Sequence, residues 1–247
     1  MSVNLAIPTL GNKFQDYRQG IPGDSYDWGP VINANNIKFF TFHHSVTNQT
    51  AKNDGDWKKE CNTIANLHLG QGWGGVGYRF IICSDGTVAY VGDLSHGGSA
   101  VADHNHEMFS ACFVGDFTKE LPTAYQVYSA HLLAEWFLTK MPQYPNLNSW
   151  DGIKGHKDFN STACPGSAWP IDLRSRITNS QYGGYPNPQP PVAPQPPVPP
   201  TDPCATQNAQ IIDLKKQLKT AQDLATQIDT ERKILLDKIN KAKQDLA

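Results

Sequence analysis

The chain carries no excess of charge of either sign. Its 21 Lys and Arg against 23 Asp and Glu give a formal net charge of −2. The clustered cations that meet nucleic-acid phosphates are missing, so no nucleic-acid partner is expected. Nor is there an uninterrupted apolar run near the about 18 residues that a bilayer-spanning helix needs, which argues against membrane insertion. The opening MSVNLAIPTLGNKFQDYR has no basic segment followed by a long apolar one, so no signal peptide is read and a cytoplasmic location is expected. Cysteine is scarce. Cys61, Cys83, Cys112, Cys164 and Cys204 are an odd number at irregular spacings, which does not describe a disulfide scaffold, and reduced thiols are the default.

Proline is abundant in one place and absent in the next. From Pro186 to Pro203, 10 of 18 residues are proline, a run that favours polyproline II at about 3.1 Å per residue and acts as a semi-rigid spacer. Residues 207–247 contain neither Pro nor Gly and read as one helix. With Ile211 at position a, the a/d series from Ile211 and Leu214 to Ala242 and Leu246 has ten apolar members of eleven, Arg232 being the exception. That pattern indicates a coiled coil and hence a homo-oligomer or a tether. The expected organisation is a body at 1–182, a Pro-rich linker at 183–204 and a coiled-coil helix at 205–247.

Within the body, strand-like and helix-like patterns alternate. IKFFTFHH (37–44), the two arms of VGYRFIICSDGTVAYVG (76–92) around Asp85-Gly86, FSACFVGDF (109–117) and GIKGH (152–156) read as strands. WKKECNTIANLHLG and PTAYQVYSAHLLAEWFLTKMP have helical periodicity, the second bracketed by Pro122 and Pro142. The expected fold is α/β, a mixed central β-sheet flanked by helices. Cys61, Cys83 and Cys112 fall on apolar faces and read as small core residues.

Neutral imidazole and thiolate are the ligands zinc prefers, and GIKGHKDFNSTACPG supplies one of each in His156 and Cys164. Turn formers between them allow the loop to fold back. His43 in FTFHHS, at a strand end, is the foremost candidate for a third ligand. Three protein ligands would leave a fourth position open, the arrangement of a catalytic zinc site. Read from these residues alone, ordinary packing of imidazole and thiol remains the competing explanation.

FTFHHS, GWGGVGYRFIICSDGTVAYVG and GHKDFNSTACPG occur in the order and rough spacing seen in the zinc-dependent N-acetylmuramoyl-L-alanine amidases, the family shared by phage lysozyme-type amidases and peptidoglycan recognition proteins. The resemblance covers about residues 35–175. It implies Zn2+ held by His43, His156 and Cys164, with Tyr78 and Thr162 as catalytic residues. Thr162 stands where some relatives place a lysine, so its help would come through hydrogen bonding rather than charge. His96 matches a groove histidine of the family, and His44 is expected to pack or hydrogen-bond beside the ligands. Trp73, in the Gly-rich loop, suits stacking on a sugar or peptide. His104 and His106 sit in a polar loop and are expected to be exposed.

The implied reaction is hydrolysis of the amide between N-acetylmuramic acid and L-alanine in bacterial peptidoglycan. The implied setting is a phage endolysin that accumulates in the host cytoplasm and reaches the wall when a holin opens the membrane. A non-catalytic peptidoglycan-binding protein and a virion-associated lysin tethered by its coiled coil are the alternatives. Retention of Cys164 favours an enzyme acting on intact wall.

Overall fold

Alternation along one central strand sets the architecture. The computed structural model describes residues 5–24, 28–169 and 172–178; the spacer at 183–204, the coiled coil at 205–247 and Cys204 lie outside the described residues. Six strands form one sheet: β1 (Phe14–Asp16), β2 (Phe39–His44), β3 (Phe80–Ile82), β4 (Val88–Tyr90), β5 (Met108–Phe113) and β6 (Ile153–Gly155), ordered β1-β4-β3-β5-β2-β6. Neighbours are parallel except β3 and β4, so the sheet is mixed, as expected. The turn between β3 and β4 uses Gly86 at φ 86°, with Asp85 Oδ1 accepting the Thr87 N–H at 2.9 Å.

In β2, Phe40 and Phe42 point to one face and are fully buried, which places Thr41 and His43 on the other. The first face packs Phe40, Phe42, Phe80, Phe109 and Phe113 against Phe137 of α3 (Ala124–Lys140) and Ile177 of α4 (Asp172–Thr178). Each such side chain removed from water contributes roughly 1.5–3 kcal/mol. Thr123 begins α3 with a reciprocal cap: its hydroxyl accepts the Gln126 N–H at 3.1 Å and Gln126 Oε1 accepts the Thr123 N–H at 3.0 Å.

The second face is thinner. Ile81, Cys83, Ala89, Cys112 and Val114 meet Cys61, Ile64 and Ala65 of α2 (Trp57–Gly70), which follows the single turn α1 (Ala51–Asp54). Cys61, Cys83 and Cys112 are buried, in the core positions their surroundings suggested. Cross-strand register aligns His43 with Cys112 and Cys112 with Ile81. Because β5, β2 and β6 are adjacent and parallel, their carboxyl ends share one edge, the place where open α/β sheets form a crevice.

Three elements have no strong sequence signal. β1, α1 and α4 are three, four and seven residues long, too short for a period to show.

Candidate metal centre

The candidate ligands come from two of those carboxyl ends and one returning loop. His43 is the penultimate residue of β2 and 1% exposed. His156 directly follows β6. Gly155 before it lies so close to Trp169 that a Cβ would meet Trp169 Nε1 at 2.5 Å, so only glycine lets the strand deliver His156 there. Asp158 Oδ2 fixes the turn by accepting the Gly155 N–H at 2.8 Å and the Trp169 Nε1–H at 3.0 Å. The Lys157 N–H then donates to Cys164 O at 2.9 Å, closing the loop that brings Cys164 back. Thr162 Oγ1 accepts the Cys164 N–H at 3.2 Å.

One ligand atom each from His43, His156 and Cys164 lies within 4.8 Å of the others. Tetrahedral zinc, about 2.0–2.3 Å from its ligands, needs donors roughly 3.3–3.8 Å apart, so small side-chain rotations suffice. His43 Nδ1 lies 3.6 Å from Cys164 Sγ, already within that span. Burial, and secondarily neighbouring His156, holds the His43 pKa well below the usual range, and burial lowers that of His156. Both imidazoles are therefore neutral and ready to ligate at neutral pH. Burial pushes the Cys164 thiol up to about 12, against the opposing effects of the His44 N–H, 3.4 Å from Sγ, and of Lys157. A bound cation would reverse that shift, since a coordinated thiol gives up its proton. Two neutral imidazoles and a thiol beside an open cleft fit zinc.

The cleft, about 410 Å³, brings together most of the expected site residues: His43, His44, Trp73, Tyr78, His156, Thr162 and Cys164 all line it. The Tyr78 ring centroid is 5.0 Å from that of His43. Burial holds the pKa of its hydroxyl well above the ordinary value, so it stays a neutral donor. His44 turns away from the ligands; its Nδ1 accepts the Phe117 N–H at 3.0 Å, leaving the proton on Nε2. His96 is placed elsewhere. It bridges Val31, with Nδ1 3.1 Å from Ser95 Oγ, while Ser99 and Ala100 line the cleft on that side. The loop histidine His104 pairs with Glu107 at 2.6 Å.

Two neighbours of the site carry no sequence signal of their own. His68, in the last turn of α2, accepts the Gly77 N–H on Nδ1 at 3.2 Å and lies against Trp73 and Tyr78, with ring centroids 4.6 and 5.5 Å away. It fixes the Gly-rich loop that presents both aromatics. Cys112 reads as core filler, yet the strand register pairs it with His43.

Residues 33–167 match the family model described as N-acetylmuramoyl-L-alanine amidase. The chain is 34% identical over 113 residues to the N-acetylmuramoyl-L-alanine amidase of Sus scrofa, covering 43% of this chain and 17% of that protein. It is 31% identical over 104 residues to the endolysin of Enterobacteria phage T3, covering 41% of this chain and 66% of that protein. This chain thus spans a small part of the mammalian relative and just under two thirds of the phage one. The structure of bumblebee PGRP-SA superposes with a TM-score of 0.53 at 22% identity over 68% of this chain and 95% of that one, a likeness of fold.

Proposed function

The chain belongs to the N-acetylmuramoyl-L-alanine amidase family, and from that membership we propose that it is a zinc-dependent hydrolase of the amide between N-acetylmuramic acid and L-alanine in peptidoglycan. The observation that carries the reading is the intact trio His43, His156 and Cys164 beside Tyr78 in one open cleft.

Bound zinc supplies Lewis acidity and lowers the pKa of a coordinated water towards about 7. The chain's own residues do the rest. Tyr78, protonated throughout, donates to the oxygen on which charge develops as the amide carbon becomes tetrahedral. The stronger acceptor in the transition state makes this a differential interaction, the kind that raises kcat. Thr162 holds the Cys164 backbone and faces the cleft with its remaining hydrogen-bonding capacity. Trp73 offers a flat face for a sugar or peptide, steadied by His68.

The likeness to a phage endolysin supports a wall-lytic role, with synthesis in the host cytoplasm and release through a holin. Among the described residues no helix is long and apolar enough to cross a membrane. The tail at 205–247 is proposed as an oligomerising or tethering coiled coil; solution mass with and without residues 204–247 checks this, and equal monomer masses after allowing for the deletion reject self-association.

Digestion of purified cell walls tests the enzyme. The reading expects new alanine amino termini and no new reducing sugar ends. Reducing ends would indicate a glycosidase, and wall binding without either product would indicate a receptor.

A further inference from the structure

Two thiols that the cleft does not use meet on the thinner side of the sheet. Cys61 lies in α2 and Cys83 directly follows β3; both are fully buried, with their Sγ atoms 3.5 Å apart. Neither lines the cleft. Cys112, the third thiol of that face, directs its Sγ to the carbonyl of the next residue, Phe113 O, at 3.5 Å.

The backbone around the pair is already tied. Glu60 Oε2 accepts the Ser84 N–H at 2.8 Å and Glu60 Oε1 accepts the Ser84 hydroxyl at 2.6 Å, so residues 60 and 84 join the same two segments one position away from 61 and 83. The Cys83 N–H donates to Thr87 O at 2.8 Å and the Gly86 N–H to Cys83 O at 2.9 Å, which holds Cys83 at the foot of the β3–β4 turn. Sulfurs in a disulfide are about 2.05 Å apart, so these two must approach by roughly 1.5 Å. Side-chain rotation covers that distance. Burial, with the hydrogen bond of Cys61 adding to it, holds the Cys83 thiol well above its ordinary pKa, and a thiol that is not ionised reacts slowly. The pair therefore stays reduced until an oxidant small enough to reach it is present.

We propose that Cys61 and Cys83 are a latent disulfide, closed by a hydroperoxide to staple α2 to the sheet. The O–O bond of hydrogen peroxide breaks as one oxygen bonds to the first sulfur, giving a sulfenic acid and water. The second sulfur then attacks the first; the S–S bond forms, the S–O bond breaks, and the oxygen leaves as a second water. The two thiols give up two electrons and two protons, and the peroxide is reduced. Because the last turn of α2 carries His68, which holds the Gly-rich loop through the Gly77 N–H, the staple secures one wall of the cleft. The setting in which it closes, outside a reducing cytoplasm, rests on the wall-lytic role proposed above; the bond itself does not.

The test treats the full chain with hydrogen peroxide at mildly alkaline pH, blocks the remaining thiols by alkylation, and maps the digest by mass without reduction. Wild type is expected to yield one cross-linked species joining the peptides of Cys61 and Cys83, lighter by two hydrogens and separated again by a thiol reductant. Its melting temperature should rise by about 5–10 °C, the scale of closing a loop of this length in a chain of this size. Cys61→Ala and Cys83→Ala, given the same treatment, should show neither the linked peptide nor the rise. Recovery of both thiols free or as sulfinic acid, a link through Cys112 instead, or a linked form that melts no higher than the reduced one overturns the inference. No wall substrate enters the measurement, so the amidase reading fails only by its own digest.

Discussion

The two faces of the sheet are built from the same strands yet serve different ends. Towards α3 the strands present phenylalanines, five of which meet Phe137 and its neighbours in a thick apolar layer. Towards α2 they present Cys112, Ile81, Ala89 and, at the strand end, His43. The period of two that alternates side chains along β2 therefore allots stability to Phe40 and Phe42 and chemistry to His43. Small, soft residues on the second face leave room for Tyr78, which packs against them. The lesson is that one strand's even and odd positions should fail in different assays when altered.

Substitutions on each face can break that division. The largest effect is expected from Cys164→Ser, which should abolish stoichiometric zinc binding and lower activity by more than the about 10–100-fold lost when only a ligand's supporting partner is removed; metal analysis with a wall-digestion assay checks it, and full activity would mean that Cys164 is not a ligand. Phe40→Ala, on the opposite face, should cost about 3–5 kcal/mol in denaturant unfolding, while the folded fraction still binds zinc. Tyr78→Phe should leave zinc content and unfolding nearly unchanged but reduce kcat by about 10²–10³-fold, as steady-state kinetics would show. The smallest effect is expected at the cap of α3. Thr123→Ala should lower stability by about 1 kcal/mol with kcat unaltered, measured by thermal melts alongside turnover. A Phe40 variant that lost zinc selectively, or a Tyr78 variant that mainly unfolded, would dissolve the distinction between the faces.

Much of this division was legible in the residues. The aromatic and β-branched runs containing β2 and β5 announce buried strands, and α2 begins and ends where its helical period does. His43, His156 and Cys164 were identifiable from ligand chemistry and motif order, and the structure brings them together. What stayed hidden depends on geometry that no local pattern encodes. β1 is a three-residue strand placed by its pairing with β4. His68 looks like any residue at a helix end until the Gly-rich loop folds onto it. His96 follows its motif into the sequence but sits in a bridge to Val31 rather than in the cleft lining. The left-handed backbone of Val46 is invisible in a string of letters, because valine ordinarily argues for a strand.

The central claim is that the cleft works as an open zinc site, and one measurement bears on it most directly. A single preparation of the full chain would be analysed for metal and for release of alanine amino termini from cell walls, as purified, after chelation, and after zinc is restored. The account predicts about one zinc per chain, as the three-ligand site requires, loss of both metal and product on chelation, and recovery of both together. Metal-free protein that releases alanine amino termini at the full rate would contradict it.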